Sequence, residues 1–316
     1  MSLRGAEIKL FSGQAHPALA QEIADYLDMP IGDVRLTRFP DGESYCQFHE
    51  NIRGADVFII QPTSSPANEN LMEMLVMVDA AKRASADRIT TVIPYYGYAR
   101  QDRKDKPRVP ISSKLVADLL SAAGADRIVV IDLHAPAIQA FFDIPVDHLF
   151  AGPVLMDEIR KMKLKNLAVV SPDAGGVERA RAYAKRLTAD LVIVDKRRSG
   201  AETSEVMHVI GDAHDKTCVI VDDIIATAGT VVGTARALQK AGARSVLGCF
   251  SHGVLAGPAM ERIAEANLEE LLVTNTIPIP EDKLAKGRIR SVSVAPLLGE
   301  AIFRIHNNSS VSSLFE

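Results

Sequence analysis

Short apolar runs rich in β-branched residues recur along nearly the whole chain, each closing on a polar or glycine-bearing turn and each followed by helical periodicity. IKLFSG, DVFIIQP, RITTVIPYY, RIVVIDLHA, LAVVSPD, DLVIVDKRR, CVIVDDII and SVLGCFSHG read as strands. HPALAQEIADYL, NENLMEMLVMVDAAKRA, SSKLVADLLSAAG, GVERARAYAKRL and TVVGTARALQKAG read as amphipathic helices. Strands that are apolar on both faces need cover on both, and parallel neighbours need a crossover between them, so the alternation implies α/β architecture with mainly parallel, doubly wound sheets. The pattern also repeats. DVFIIQPTSS, a helix and RITTVIPYYGYARQDRK parallel LAVVSPDAGG, a helix and DLVIVDKRRSG, while RIVVIDLHA echoes CVIVDDII. Two similar domains, 1–150 and 151–316, are therefore expected.

The most informative of these runs is CVIVDDIIATAGT, from Cys218 to Thr230. Asp222 and Asp223 should stand at the carboxyl end of a central strand. Beyond them Ala226, Thr227, Ala228, Gly229 and Thr230 form a loop of small residues that opens a helix, a natural seat for an anion. Adjacent carboxylates would repel a bare phosphate unless they bind another part of the same ligand, such as vicinal hydroxyls or a metal ion. A sugar phosphate presents both kinds of group.

Composition narrows the classes. The chain has 316 residues, 47% hydrophobic and 24% charged, enough to bury a large core. A net charge of −4 argues against a partner held by phosphate contacts to nucleic acid. Cys46, Cys218 and Cys249 are odd in number and lack metal-type spacing, which fits reduced thiols in a cytoplasmic protein. No apolar stretch approaches the ~20 residues of a membrane span, and MSLRGAEIKL lacks a signal-type apolar core. Neither a membrane nor a nucleic-acid partner is expected.

FPDGES, NIRG, VIPYYGYARQDRK, DLHAPAIQAFFDIP, VSPDAGG, VDKRR and DDIIATAGT occur in one order, and that ordered set resembles the class I ribose-phosphate pyrophosphokinases over essentially the whole chain. The resemblance implies two phosphoribosyltransferase-like domains and transfer of the diphosphate of Mg-ATP to O1 of ribose 5-phosphate, releasing AMP. Phe39 then stacks on adenine; Asp41, Gly42, Glu43, Arg100 and Gln101 contact ATP. His134 and Asp173 bind Mg²⁺. Lys196 and Arg198 are the catalytic cations, carried by a closing lid, RSGAETSEV. Asp222, Asp223 and Ala226 to Thr230, with Arg198, bind ribose 5-phosphate. A dimer-based homohexamer with the active site near a subunit interface is implied, with Lys82, Arg83 and the serines of NNSSVSSLF as candidates for a regulatory anion site.

Bland readings stand beside each of these. FPDGES is also a plain Pro-Asp-Gly turn, YARQDRK and DKRR are also solvated charge runs, and Asp173 is also a helix cap. The chain departs from the family at Ala226, where an acid is usual. That departure keeps a noncatalytic, synthetase-associated subunit in play, and the acid-acid-loop motif alone would also suit a phosphoribosyltransferase.

Overall fold

The computed structural model describes residues 6–198 and 205–314, with the side chains of 196–198 and 205–206 outside that description. The chain divides into two compact units: Met1–Phe150 with Thr276–Pro278 and Ser293–Glu316, and Ala151–Asn275 with Ile279–Val292.

The first unit runs β1 (Ile8–Ser12), α1 (Pro17–Tyr26), a hairpin of β2 (Val34–Arg38) and β3 (Ser44–Phe48), β4 (Asp56–Ile60), α2 (Ala67–Arg83), β5 (Arg88–Ile93), α3 (Ser112–Ala123), β6 (Arg127–Ile131) and β7 (Val146–Leu149). Its sheet has the order β1-β4-β5-β6-β7 and is parallel throughout. Every residue of β4 is buried, as expected of a central strand covered on both faces. Val57, Ile59, Met74, Met77, Val78, Val116, Leu120, Ile128 and Val130 share one core cluster. Each such side chain removed from water contributes about 1.5–3 kcal/mol. Pro17 opens α1 with His16 Nδ1 accepting the Leu19 N–H at 3.3 Å, and Gly124, at φ 117°, stops α3.

The second unit runs α4 (Gly152–Lys161), β8 (Leu167–Ser171), α5 (Val177–Leu187), β9 (Asp190–Arg198), β10 (Glu205–Ile210), β11 (Thr217–Ile225), α6 (Gly229–Lys240), β12 (Ser245–Gly253), α7 (Ala259–Glu265), β13 (Leu271–Thr274), α8 (Glu281–Lys286) and β14 (Ile289–Val292). Its sheet has the order β10-β9-β8-β11-β12-β13-β14, parallel except for β10, which pairs antiparallel with β9. The α/β reading holds in both units.

Two expectations are corrected and a third lies mainly outside the described residues. First, 151–316 is not one domain: α9 (Ala295–His306) belongs to the first unit and buries Leu298, Ala301, Ile302 and Ile305 there. Gly299 is needed because a Cβ there would lie 2.4 Å from the Tyr26 ring of α1. The buried Asp56 carboxylate accepts from Arg88 Nε at 2.8 Å and lies 2.8 Å from His306 Nδ1, while Arg88 Nη2 donates to the Ile305 carbonyl at 3.1 Å. This fixes the end of α9 to the start of β4. Second, the repeat is real but offset. Strand order equates β1-β4-β5-β6-β7 with β8-β11-β12-β13-β14 and the β2–β3 hairpin with β9–β10. The counterpart of CVIVDDII is thus DVFIIQP, and RIVVIDLHA is the counterpart of β13. Third, the lid reading of RSGAETSEV falls mainly on 199–204, outside the described residues, and its last residues, Glu205 and Val206, are the start of β10.

Candidate functional site

In the second sheet β8 is followed in sequence by β9 on one side, and β11 then pairs on its other side, so the chain reverses direction between β8 and β11. Ligands of open α/β sheets gather beyond the carboxyl ends of strands at such a reversal. Asp173 follows β8, and Asp222 and Asp223 lie near the carboxyl end of β11. Asp173 lies in the exposed turn SPDAGG, where its Oδ1 accepts the Gly176 N–H at 2.9 Å. This bond closes the turn and is not a helix cap, since Gly176 is itself the N-cap of α5 and takes no side-chain cap, and among the described residues Oδ2 takes no hydrogen bond.

Asp223 is 4% exposed and Asp222 is half-buried. Asp222 Oδ1 accepts the Asp223 N–H at 2.9 Å. Arg179 of α5 reaches both acids, its Nη1 lying 2.6 Å from Asp222 Oδ1 and 3.3 Å from Asp223 Oδ1. Burial, then the neighbouring Asp223 charge, push the Asp222 carboxyl up to about 7, against the opposing pull of Arg179. The pair is thus an acceptor whose charge is only partly developed at neutral pH.

The loop after β11 hangs on backbone bonds: Leu255 N–H to the Ile225 carbonyl at 3.1 Å, Ala256 N–H to the Ala226 carbonyl at 2.9 Å, and Arg262 Nη1 to the Thr227 carbonyl at 3.0 Å. Ala228 takes the left-handed conformation, φ 59°, and α6 begins at Gly229. Thr227, Gly229 and Thr230 are exposed while Ala228 is buried. The first-turn N–H groups of a helix have no intrahelical acceptor, so this end of α6 presents donors and positive dipole to solvent beside two acids. Asp222, Asp223 and residues 226 to 230 are brought together as the sequence implied. Ala226 is half-buried and adds no acid to them.

Lys196 and Arg198 belong to β9, whose backbone pairs Lys196 with Met207 and Arg198 with Glu205; their side chains lie outside the described residues.

In the first unit FPDGES is the tip of the β2–β3 hairpin. Phe39 N–H donates to the Glu43 carbonyl and Gly42 N–H to the Phe39 carbonyl, both at 2.9 Å, with Gly42 at φ 97°. Phe39 is 50% exposed and touches only the edge of Tyr45 among described rings, at 5.6 Å. Asp41 and Glu43 also face solvent. Arg100 and Gln101 follow β5 and His134 follows β6, neighbouring parallel strands, so all three leave from one edge of the sheet. Arg100 and His134 are exposed, and Gln101 is tied to Ser112 through Oε1.

Residues that sequence reasoning passed over support these. Arg179 is one. His148, on β7, is buried and accepts the Leu133 N–H on Nε2 at 2.9 Å, beside Asp132 at φ 39°; it fixes the turn that presents His134. Neither carries a motif signal, although the arginine three residues after SPDAGG sits on the helix face that returns toward the strand ends. Of the regulatory candidates, Arg83 pairs with Asp79 at 2.7 Å, and the Lys82 stem lies where a Cβ of Gly124 would be. Ser310 and Ser313 accept from Arg304.

Among the described residues no three His, Cys, Asp or Glu side chains gather as a metal cage. Magnesium holds few protein ligands and keeps water and phosphate oxygens, so a single exposed carboxylate such as Asp173 fits its chemistry. No helix among the described residues is long and apolar enough to cross a membrane.

Residues 8–124 match a family model described as the N-terminal domain of ribose phosphate pyrophosphokinase, and residues 197–316 one described as the phosphoribosyl synthetase-associated domain. A ribose-phosphate pyrophosphokinase of Bordetella parapertussis is 54% identical over 97% of this chain and 99% of its own length. That of Clostridium perfringens is 51% identical over the full length of both chains. A crystal structure of phosphoribosylpyrophosphate synthetase from Mycobacterium smegmatis superposes with a TM-score of 0.90 at 44% identity, covering 96% of this chain and 100% of that one. Identity at this level across both units, with the acid pair and anion loop in place, establishes that the chain belongs to the ribose-phosphate pyrophosphokinase family.

Proposed function

We infer that this enzyme transfers the diphosphate of ATP to O1 of ribose 5-phosphate, giving 5-phosphoribosyl 1-diphosphate and AMP. The observation that carries the reading is the juxtaposition, at the sheet's reversal point, of the Asp222–Asp223 pair with the open start of α6. A phosphomonoester suits the loop from Thr227 to Thr230, and vicinal hydroxyls suit the acids, so one sugar phosphate satisfies both halves. Asp222 and Asp223 are assigned the ribose 2- and 3-hydroxyls. With the sugar fixed at both ends, O1 is oriented for in-line attack on the β-phosphorus, which replaces a bimolecular encounter by a positioned one.

Lys196 and Arg198 are assigned to the charge that develops on the transferring diphosphate; their place at the end of β9, adjacent to β8 in the same sheet, supports this. Phe39 is assigned to the adenine ring, since an exposed aromatic on a rigid hairpin tip has a free face, and Asp41, Gly42, Glu43, Arg100 and Gln101 to the nucleotide. Asp173 and His134 are each assigned to magnesium, as the family resemblance implies, and the ion would supply neutralisation of the polyphosphate charge. Family resemblance supports a dimer-based homohexamer and a cytoplasmic location, which light scattering and fractionation test.

The deciding experiment incubates the enzyme with Mg-ATP and ribose 5-phosphate, with and without inorganic phosphate, and follows AMP. AMP release in step with 5-phosphoribosyl 1-diphosphate is expected. Pyrophosphate release from 5-phosphoribosyl 1-diphosphate and a base would instead mark a phosphoribosyltransferase, and neither activity would mark a noncatalytic subunit.

A further inference from the structure

Adjacent carboxylates at the end of one buried strand repel each other, and burial disfavours the charge on both. Something must hold them ionised if they are to accept hydrogen bonds from a sugar. We propose that Arg179 is a positioning residue of the sugar site, its guanidinium bridging Asp222 and Asp223 so that their oxygens are oriented toward the ribose hydroxyls and their ionised forms are favoured. The inference rests on the assignment of that pair to the ribose.

The geometry is specific. One nitrogen, Nη1, meets Oδ1 of both acids, at 2.6 and 3.3 Å, and Asp222 Oδ1 also takes the Asp223 N–H at 2.9 Å. A guanidinium and a main-chain amide therefore fix the Asp222 carboxylate from two directions. Arg179 reaches this point from α5, the helix that follows the SPDAGG turn, so it couples the Asp173 turn to the acids of β11. Its side chain is 28% exposed and that of Asp223 6%, so the pair is screened less than a surface ion pair. A lysine at this place would keep the charge but lose the planar fork.

An alternative role is a staple holding α5 to the sheet, and the test separates the two. The variants are Arg179→Met, Arg179→Lys, Asp222→Asn and the double variant that combines Arg179→Met with Asp222→Asn. Each is assayed for kcat, KM for ribose 5-phosphate, KM for ATP and thermal midpoint. Arg179→Met is expected to raise the sugar KM about 10-fold with the ATP KM unchanged. Arg179→Lys recovers part of that loss. In the double variant the methionine adds less than it does alone, because the amide at position 222 removes the repulsion within the pair and leaves only Asp223 in need of the counter-charge. A raised sugar KM in Asp222→Asn beside an unchanged one in Arg179→Met overturns the proposal and leaves the sugar-site assignment standing. An unchanged sugar KM in Asp222→Asn overturns both. A lowered thermal midpoint with additive effects in the double variant identifies a staple and overturns the positioning role. Should Arg179→Met fail to fold, Arg179→Lys carries the test with a smaller, few-fold rise in sugar KM alone.

Discussion

The acid pair predicts how sugar use depends on pH. Asp222 sits in a half-buried position against Asp223, with Arg179 the opposing charge, and its carboxyl is pushed up from 3.8 to about 7. The pair titrates as a unit, so the value describes the proton shared by Asp222 and Asp223. A protonated carboxyl donates one hydrogen bond that the ionised form would accept, and a ribose hydroxyl is best held by the ionised form. Near pH 6 only roughly a tenth of a group with such a pKa is ionised, against about half at pH 7. The kcat/KM for ribose 5-phosphate should therefore fall about fivefold from pH 7 to pH 6 and approach tenfold per unit below that, while ATP affinity measured without sugar stays flat. Asp222→Asn should lower kcat/KM at pH 8 by roughly 10- to 100-fold and remove the acid limb. Stability obeys the same linkage with the opposite sign to a salt-bridged acid: the folded state holds the proton more tightly than the unfolded chain, so this group's contribution is greatest at low pH and is lost as pH rises from about 4 to about 7. Urea midpoints for the two proteins across that range should converge as the pH falls. A kcat/KM profile that is flat from pH 6 to 8 in the unaltered enzyme refutes the assignment of the shared proton to sugar binding.

Ala226→Asp, which restores the acid usual in the family, is expected to raise kcat/KM for ribose 5-phosphate with ATP affinity unchanged; an unchanged or lower value shows compensation elsewhere in the loop. Lys196→Ala should lower kcat by on the order of 10² to 10³ with little change in ATP binding, whereas a rise in KM at constant kcat would reduce Lys196 to a uniform binder. His148→Ala leaves the buried Leu133 N–H without its Nε2 acceptor, a loss of about 1–3 kcal/mol in urea unfolding, and should also weaken nucleotide use through the His134 turn.

What was legible in the sequence follows from period and covering. β4, β8 and β11 are apolar on both faces because helices lie on both, and a run such as CVIV says so without any partner being known. β2 and β3 escape the sequence reading because VRLTR and SYCQF are short and hold no buried position, leaving only the Pro-Asp-Gly turn as a signal. β13 and β14 are four residues each, too short to show a period, and β10 takes its strand form from pairing with β9. The grouping of Asp222 and Asp223 with residues 226 to 230 was readable, because they lie within one motif. Arg179 and His148 were not, since each acts across elements distant in sequence, and a lone arginine on a helix has no local pattern to distinguish it.

The offset in the internal repeat matters for function, because it decides which loops are counterparts. β4 and α2 correspond to β11 and α6, so the segment from Gln61 to Pro66 stands where the second unit has its anion loop. In the first unit that segment is consumed internally. Thr63 Oγ1 accepts the Gly97 N–H at 2.7 Å, Thr63 N–H donates to the Tyr95 carbonyl at 2.9 Å, and Asn70 Nδ2 donates to the Ser64 carbonyl at 2.8 Å. Thr63 and Ser64 are buried, and the apolar end of β4 at Ile59 and Ile60 is followed by Gln61 and Pro62, with no acid pair. The second unit keeps Thr227, Gly229 and Thr230 exposed instead. A buried, satisfied loop cannot open toward an anion without losing several hydrogen bonds at about 1 kcal/mol each, so the same scaffold carries the proposed sugar-phosphate seat in one copy and a closed packing element in the other. Freed of that task, the first unit presents exposed polar and aromatic side chains on its β2–β3 tip and after β5 and β6, the positions assigned to the nucleotide.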